Sequence, residues 1–377
     1  MKKSKFTFRK FITDIHLWLG IGAGIIIFLV CLSGTILTFE YEIEGFFDEK
    51  LVVVPSGNEQ IALEDLIIDL ESQGVVSSVT IKNDTKLPYE FRVKTSPKDR
   101  RGTIFNVNPY TGEVLKYEAS KLNGFFLSMF KLHRWLLLDI SVGRPIVGIA
   151  TLIFLLLTLS GLVIWFPKKL KWRNFKQGFK IKFSANWKRI NHDLHNTIGF
   201  YSSIILLIMG LTGLSWSFDW YRDGASAVMG AKIFDRSSPE FESCAQNWIS
   251  LAEIRAVANA ELKYPGDLII SFPDKESGIY QIRKLHTEDF APVTADKIFI
   301  DRDGRVLEKQ IFSDKPLNVQ IASLIRPIHT GEIFGGFSKF IYFVACLFAT
   351  SLPITGTIIW INKLKKKRKK RYKKLKR

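Results

Sequence analysis

Cysteine is scarce, with three in 377 residues. Cys31 and Cys346 fall inside apolar runs and Cys244 lies outside them, so no disulfide framework is expected. Histidine is almost as rare, with six. No Gly-x-Gly-x-x-Gly follows a strand pattern, which leaves the chain without a nicotinamide or flavin fingerprint. Asp301-Arg-Asp-Gly304 has the start of a calcium loop, but the remaining EF-hand ligands are missing, and it reads as a turn. Asp and Glu are absent from three stretches, residues 1–10, 167–191 and 361–377, which hold 26 of the 54 Lys and Arg. The rest of the chain carries 28 basic and 36 acidic residues, so the formal charge of +18 belongs to three short segments. Acids are also missing from four long apolar runs, Leu17–Phe39, Pro145–Phe166, Ile198–Phe218 and Phe340–Ile361. That weakens an ion- or metal-transport reading, because intramembrane ionisable groups usually mark such pathways.

Those four runs are what the chain does have. Each matches the roughly 20 apolar residues that a helix needs to cross a bilayer. The first is followed by Glu40-Tyr-Glu-Ile-Glu44 in place of a small-residue cleavage site, so it reads as a retained anchor. With four spans, the three basic segments share one side, and the positive-inside rule makes that side the cytoplasm. The expected order is a basic amino terminus (1–10), a first span (11–39) and an outer domain (40–130). A histidine-bearing edge with a second span (131–166) and a basic loop (167–191) follow. A third span (192–219), a second outer domain (220–325), a second histidine-bearing edge with its span (326–361) and a basic tail (362–377) complete it. The tail invites a nucleic-acid reading. Its place directly after a span makes it a stop-transfer anchor facing anionic lipid instead.

The chain also repeats itself. Asp14-Ile-His16-x3-Gly20 opens the first span, and Asp193-Leu-His195-x3-Gly199 opens the third. Gly34 and Gly213 each lie 18 residues beyond their histidine. His133 precedes the second span and His329 the fourth, with Gly161 and Gly356 following them by 28 and 27 residues. Each of these four glycines follows Ser or Thr. The outer segments match too. Each has a helical pattern (Ala62–Leu70, Leu251–Ala258) and alternating strands (Tyr89–Val93, Ile279–Arg283). Each ends in a hairpin turn (Asn108–Gly112, Asp301–Gly304). The expected fold is an α-helical membrane protein with four transmembrane helices in two parallel repeats, plus two outer α+β domains. Such repeats are related by an axis along the membrane normal.

The repeat gives the histidines depths. A bilayer core is ~30 Å thick, so His16 cannot share a ligand with His133. His16 can meet His195 at one face, and His133 can meet His329 at the other. Two facing imidazoles suit the axial positions of a haem. Zinc would want four ligands, often including Cys or carboxylate. Gly34, Gly161, Gly213 and Gly356 could leave room for a flat macrocycle, although for the glycines alone close helix packing is the favoured explanation. Arg134, Arg144 and Arg326 lie near the outer histidines and are candidate partners for haem propionates; interfacial anchoring is the alternative. His192 is the alternative ligand to His195, but the repeat gives it no counterpart, since position 13 is Thr13. His286 reads as a surface residue.

With these residues in view the chain resembles the PepSY-associated transmembrane family, often labelled iron-regulated membrane proteins. Asp14-Ile-His16-x3-Gly20, Asn108-Pro-Tyr-Thr-Gly-Glu113, Leu132-His133-Arg134-Trp135, Asp193-Leu-His195-x3-Gly199 and Ile328–Phe334 carry the resemblance. It implies PepSY-like outer domains in the periplasm, a multi-pass protein of the bacterial inner membrane and cytoplasmic termini. The family includes ferric-siderophore reductases with two b-type haems. The resemblance therefore implies haem iron on His16, His195, His133 and His329, and an oxidoreductase that passes electrons to a ferric siderophore. The donor would be a quinol or a separate reductase. Two alternatives stay open: a haem-free protein whose outer domains bind a peptidase or an uptake component, and a siderophore or metal transporter.

Overall fold

The computed structural model describes residues 7–47, 59–96, 99, 102–115, 122–169, 171–235, 237, 239–243, 245–273, 278–289 and 291–375. Cys244 lies outside them. Helices α1 (Phe8–Leu37), α2 (Glu40–Phe47) and α3 (Leu63–Leu70) lead into strands β1 (Val75–Ile81), β2 (Tyr89–Lys94), β3 (Thr103–Val107) and β4 (Val114–Leu115). Helices α4 (Asn123–Trp135), α5 (Ile140–Trp165), α6 (Trp172–Gly178), α7 (Trp187–Ser217), α8 (Asp219–Met229) and α9 (Leu251–Glu261) follow. Then come β5 (Gly266–Ser271), β6 (Ile279–His286), β7 (Asp296–Asp301) and β8 (Val306–Gln310), and last α10 (Leu317–Ser323), α11 (Ile325–Thr330) and α12 (Gly335–Leu375). The described residues of 1–44, 122–233 and 324–377 make one compact unit, and those of 45–121 and 234–323 make another.

The first unit is a helical bundle. Its helices α1, α5, α7 and α12 contain the four stretches long and apolar enough to cross a membrane. They form a ring in which α1 and α7 each pack between α5 and α12. Neighbours run antiparallel. Thr35 near the end of α1 meets Thr350 at 3.3 Å, and Glu42, beyond it, meets Lys339 near the start of α12 at 2.7 Å. Leu155 of α5 fills the space at Gly210 of α7, as Phe218 does at Gly148. Arg9 donates to the Ile164 and Phe166 carbonyls, completing the open end of α5. The basic loop is tied down as well: Trp165 stacks on Phe200 at 3.8 Å and donates to the Gly178 carbonyl.

The histidine-bearing edge before the second span differs from the expectation in one respect. A continuous helix from His133 to Gly161 would run ~42 Å, longer than a bilayer core, and proline is the residue that would break it, yet Pro145 lies inside α5. The break comes earlier. Leu136 and Leu137 take left-handed conformations, with φ of 57° and 60°, and Asp139 caps the new helix by accepting from the Ser141 amide at 2.8 Å. His133 therefore rides on its own short helix, α4. A Cβ on Gly143 would lie 2.0 Å from the Trp135 carbonyl oxygen, so the start of α5 can fold back on α4 only with glycine there. The fourth span is built the same way. His329 sits on α11, Gly331 turns the chain at φ 81°, and α12 starts at Gly335.

The second unit corrects the expectation of two separate outer domains. The eight strands among the described residues belong to one antiparallel sheet in the order β4-β3-β2-β1-β5-β6-β7-β8. The seam is β1 with β5, which pairs Val79 with Ile270 and Ile81 with Leu268. As separate domains each half would expose a long unpaired strand edge; joining them removes both. The alternating residues of β1, β2, β5, β6 and β7 share one apolar face with Leu66 and Leu70 of α3 and Ile254 and Ala258 of α9. The predicted turns are present: Asn108 accepts from the Tyr110 amide at 2.9 Å, and Gly304 turns the chain at φ 88°.

Candidate functional site

Four histidines come together inside the bundle as two pairs. The rings of His16 and His195 lie 6.3 Å apart, centre to centre and perpendicular. The rings of His133 and His329 are also 6.3 Å apart, inclined by 58°. Two imidazoles on opposite sides of one metal ion, each at ~2.0 Å, have ring centres about 6 Å apart. Among the described residues no group of three or more His, Cys, Asp or Glu could hold a metal ion. Each pair thus offers two nitrogen donors and nothing more, which fits an ion whose other ligands come from a planar group.

Each ring is seated by a neighbouring helix, at a Ser/Thr-Gly step. His16 Nδ1 lies 2.8 Å from Ser160 Oγ, and His195 Nδ1 lies 2.9 Å from Thr355 Oγ1. His329 Nδ1 lies 3.0 Å from Thr212 Oγ1 and from the Met209 carbonyl. His133 Nδ1 lies 2.8 Å from the Val30 carbonyl, with Ser33 Oγ at 3.5 Å. These partners fix the tautomer. A carbonyl can only accept. Ser160, Thr212 and Thr355 already donate their single hydroxyl proton to carbonyls of their own helices. All four histidines therefore carry the proton on Nδ1 and keep a lone pair on Nε2, the state in which an imidazole binds metal.

The glycine of each step admits the ring. A Cβ would lie 3.0 Å from His133 Cε1 at Gly34, 3.0 Å from His329 Cε1 at Gly213, 3.2 Å from His195 Cε1 at Gly356 and 3.5 Å from His16 Cε1 at Gly161. The open face of each glycine is thus filled by imidazole. Room beside the rings comes from a cavity of ≈ 290 Å³ at the His16–His195 end, lined by Gly20, Gly24 and Gly199 along with Leu157 and Phe200. Gly20 and Gly199 lie one turn past their histidines, on the same helix face. The sequence carries a signal for the hydroxyls, since Ser or Thr precedes all four glycines. Trp216, whose ring lies 5.2 Å from that of His329, carried no signal.

The remaining candidates separate. His192 lies 3.5 Å from Asp193 with most of its side chain exposed, while the neighbouring His195 faces His16. Asp193 is buried and pairs with Arg189 at 2.8 Å, whereas Asp14 at the matching place is exposed. Arg144 is engaged by Asp219 at 3.1 Å and by the Trp216 carbonyl. Arg326 is exposed. Arg134 is partly buried against Phe130 and Trp135. His286 ends β6 in the sheet unit and accepts from the Glu288 amide at 3.0 Å.

A family model described as the PepSY-associated TM region matches residues 13–363. The chain belongs to this family. The match spans all four histidines and both halves of the bundle, so the PepSY-associated region here is a membrane protein of four apolar helices with an antiparallel sheet domain. Comparison with curated proteins gives no match.

Proposed function

We propose that the protein is a dihaem electron conduit of the bacterial inner membrane that reduces ferric siderophore iron in the periplasm. One observation carries the reading: two imidazole pairs, each 6.3 Å across, at opposite ends of one bundle. Val30 and Gly34, which seat His133, follow His16 on α1 by a rise of ~21–27 Å. That is close to the ~30 Å of a bilayer core. In this reading the halves of the bundle are two parallel copies. The basic segments and both termini face the cytoplasm, and the sheet-forming segments face the periplasm.

Haem supplies a one-electron couple that needs no proton or bond change. The chain's residues supply the rest. His16 with His195, and His133 with His329, would hold the two irons through Nε2. Ser160, Thr355, Thr212 and the Val30 carbonyl hold each ring in the binding tautomer. Apolar side chains such as Leu157 and Phe200 line the cavity. Arg134 is the best placed of the three arginines for a propionate, because Arg144 already has Asp219. With haem at both pairs, electrons would enter at the His16 end from a quinol or a separate reductase and would leave at the His133 end. Hard-oxygen chelators hold ferric iron far better than ferrous iron, so reduction releases it.

The test is a reduced-minus-oxidised absorbance spectrum with a haem-to-protein ratio, on detergent-purified protein expressed with ample haem. Two b-type haems per chain are expected, and one in either His16→Ala or His329→Ala. Well-folded protein without haem would overturn the proposal.

A further inference from the structure

The two ends of the bundle are seated alike, yet one residue sets them apart. The residues that follow the four histidines are Leu17, Asn196, Thr330 and Arg134. Only Arg134 is charged. Its guanidinium carbon lies 5.6 Å from the Phe130 ring centre and 5.9 Å from that of Trp135, and no carboxylate pairs with it among the described residues. Arg134 adjoins His133 in α4, and the ring of His133 faces that of His329 at 6.3 Å, so its charge lies beside that pair. The nearby Arg144 adds no compensation, being a cation held by Asp219. At the other end, Lys363 borders the cavity but is exposed, where water and salt screen it. His192 there lies beside Asp193.

We infer that Arg134 makes the His133–His329 end the stronger electron acceptor, so that an electron entering at the His16–His195 end comes to rest there. The inference rests on the haem reading above. A metal centre that gains an electron loses one unit of positive charge, so a fixed cation nearby favours its reduced form. The transfer would move one electron: an iron held at the His16 end would be oxidised by one, an iron held at the His133 end would be reduced by one, and no proton would move. A unit charge at roughly 10 Å in an effective dielectric of about 20 changes such an equilibrium about tenfold. A propionate on Arg134 leaves the comparison intact, because removing the arginine would then expose the carboxylate charge to the iron.

The experiment is potentiometry followed by absorbance on detergent-purified, haem-loaded protein. His16→Ala keeps the His133 end, and His329→Ala keeps the His16 end. The His16→Ala protein is expected to be reduced at the higher potential. Adding Arg134→Gln to it should weaken electron uptake about tenfold, equivalent to about 59 mV for a one-electron couple. Arg134→Lys, which keeps the charge, should change it by less than threefold. Equal or reversed potentials for the two single-end proteins would overturn the inference, as would Gln and Lys variants that behave alike. Where Arg134→Gln fails to retain haem, the order of the two single-end proteins decides. Absence of haem from the unaltered protein would instead remove the reading beneath it.

Discussion

Thr355 accepts the Nδ1 proton of His195 at 2.9 Å and passes its own hydroxyl proton to the Ser351 and Leu352 carbonyls. The ring is held in one tautomer by a relay that never leaves α12. Thr355→Val keeps the shape and removes the acceptor. Loss of a partner behind a metal-bound histidine typically costs 10–100-fold in affinity. Thr355→Val should therefore weaken haem retention at the His16 end by about that factor, and Thr355→Ser should not. Haem-to-protein ratios across a dilution series into haem-free detergent measure both.

Substitutions at the four seat glycines should rank by the room each has. Gly34→Ala and Gly213→Ala place a methyl 3.0 Å from a histidine carbon, against 3.5 Å for Gly161→Ala. The first two should displace the ring and lower haem occupancy at the His133 end severalfold. Gly161→Ala should be close to neutral. Absorbance spectra of the three proteins, matched for concentration, give the ranking. Equal loss in all three would mean that helix packing, and not the ring, requires glycine.

The sheet should unfold as one piece. Ile270 is completely buried at the seam, and truncating such a residue to alanine costs about 2–5 kcal/mol. In Ile270→Ala, hydrogen exchange should accelerate in β2 and β7 alike, although these strands lie on opposite sides of the seam. Acceleration confined to β5–β8 would mean that the halves fold independently.

Tyr264 gives the sheet unit an alkaline limit. Burial, and a hydrogen bond to Asp296 at 2.7 Å, raise the Tyr264 pKa well above its usual 10.0. The folded protein keeps this proton while the unfolded chain loses it near pH 10. The stability that Tyr264 contributes is complete below pH 10 and falls as pH rises further. Thermal unfolding midpoints of the unaltered protein and Tyr264→Phe, compared at pH 8 and pH 10.5, should show a smaller alkaline decline in the variant.

Sidedness can be read directly. Single cysteines at Ser184 in the basic loop and at Asp84 in the sheet unit, in a background with native cysteines replaced, should label from opposite sides of the membrane. An impermeant maleimide added to intact cells should reach position 84 and not position 184. Labelling of both from one side would refute the four-span topology.

The sequence exposed the histidine pairs because a repeat converts linear spacing into spatial correspondence. His16 and His195 share a motif, and their rings meet. What a repeat cannot convey is which copy of a seat serves which ring. Ser160 and Gly161 lie 144 and 145 residues from His16, and only the antiparallel packing of α1 with α5 makes them neighbours. The break before α5 was misread because proline is the usual breaker, whereas Leu136 and Leu137 take left-handed conformations where their amides cap the last carbonyls of α4, a position that leucine does not signal. The single sheet was hidden for a related reason. Each half carries its own helix and hairpins, and β1 and β5 pair across 187 or more residues, where no local pattern registers the partner.

Each ring is seated within its own half of the chain, but each pair is completed only across the halves. His16 and His133 are cradled by α5 and α1, so synthesis up to Trp165 supplies two finished cradles and not one complete site. The ribosome must deliver α7 and α11 before anything can be gripped between two rings. A prosthetic group held there would rivet the earlier half to the later one. Cargo loading would then certify that the whole chain has been made and inserted, and truncated products would stay empty and open to membrane proteases.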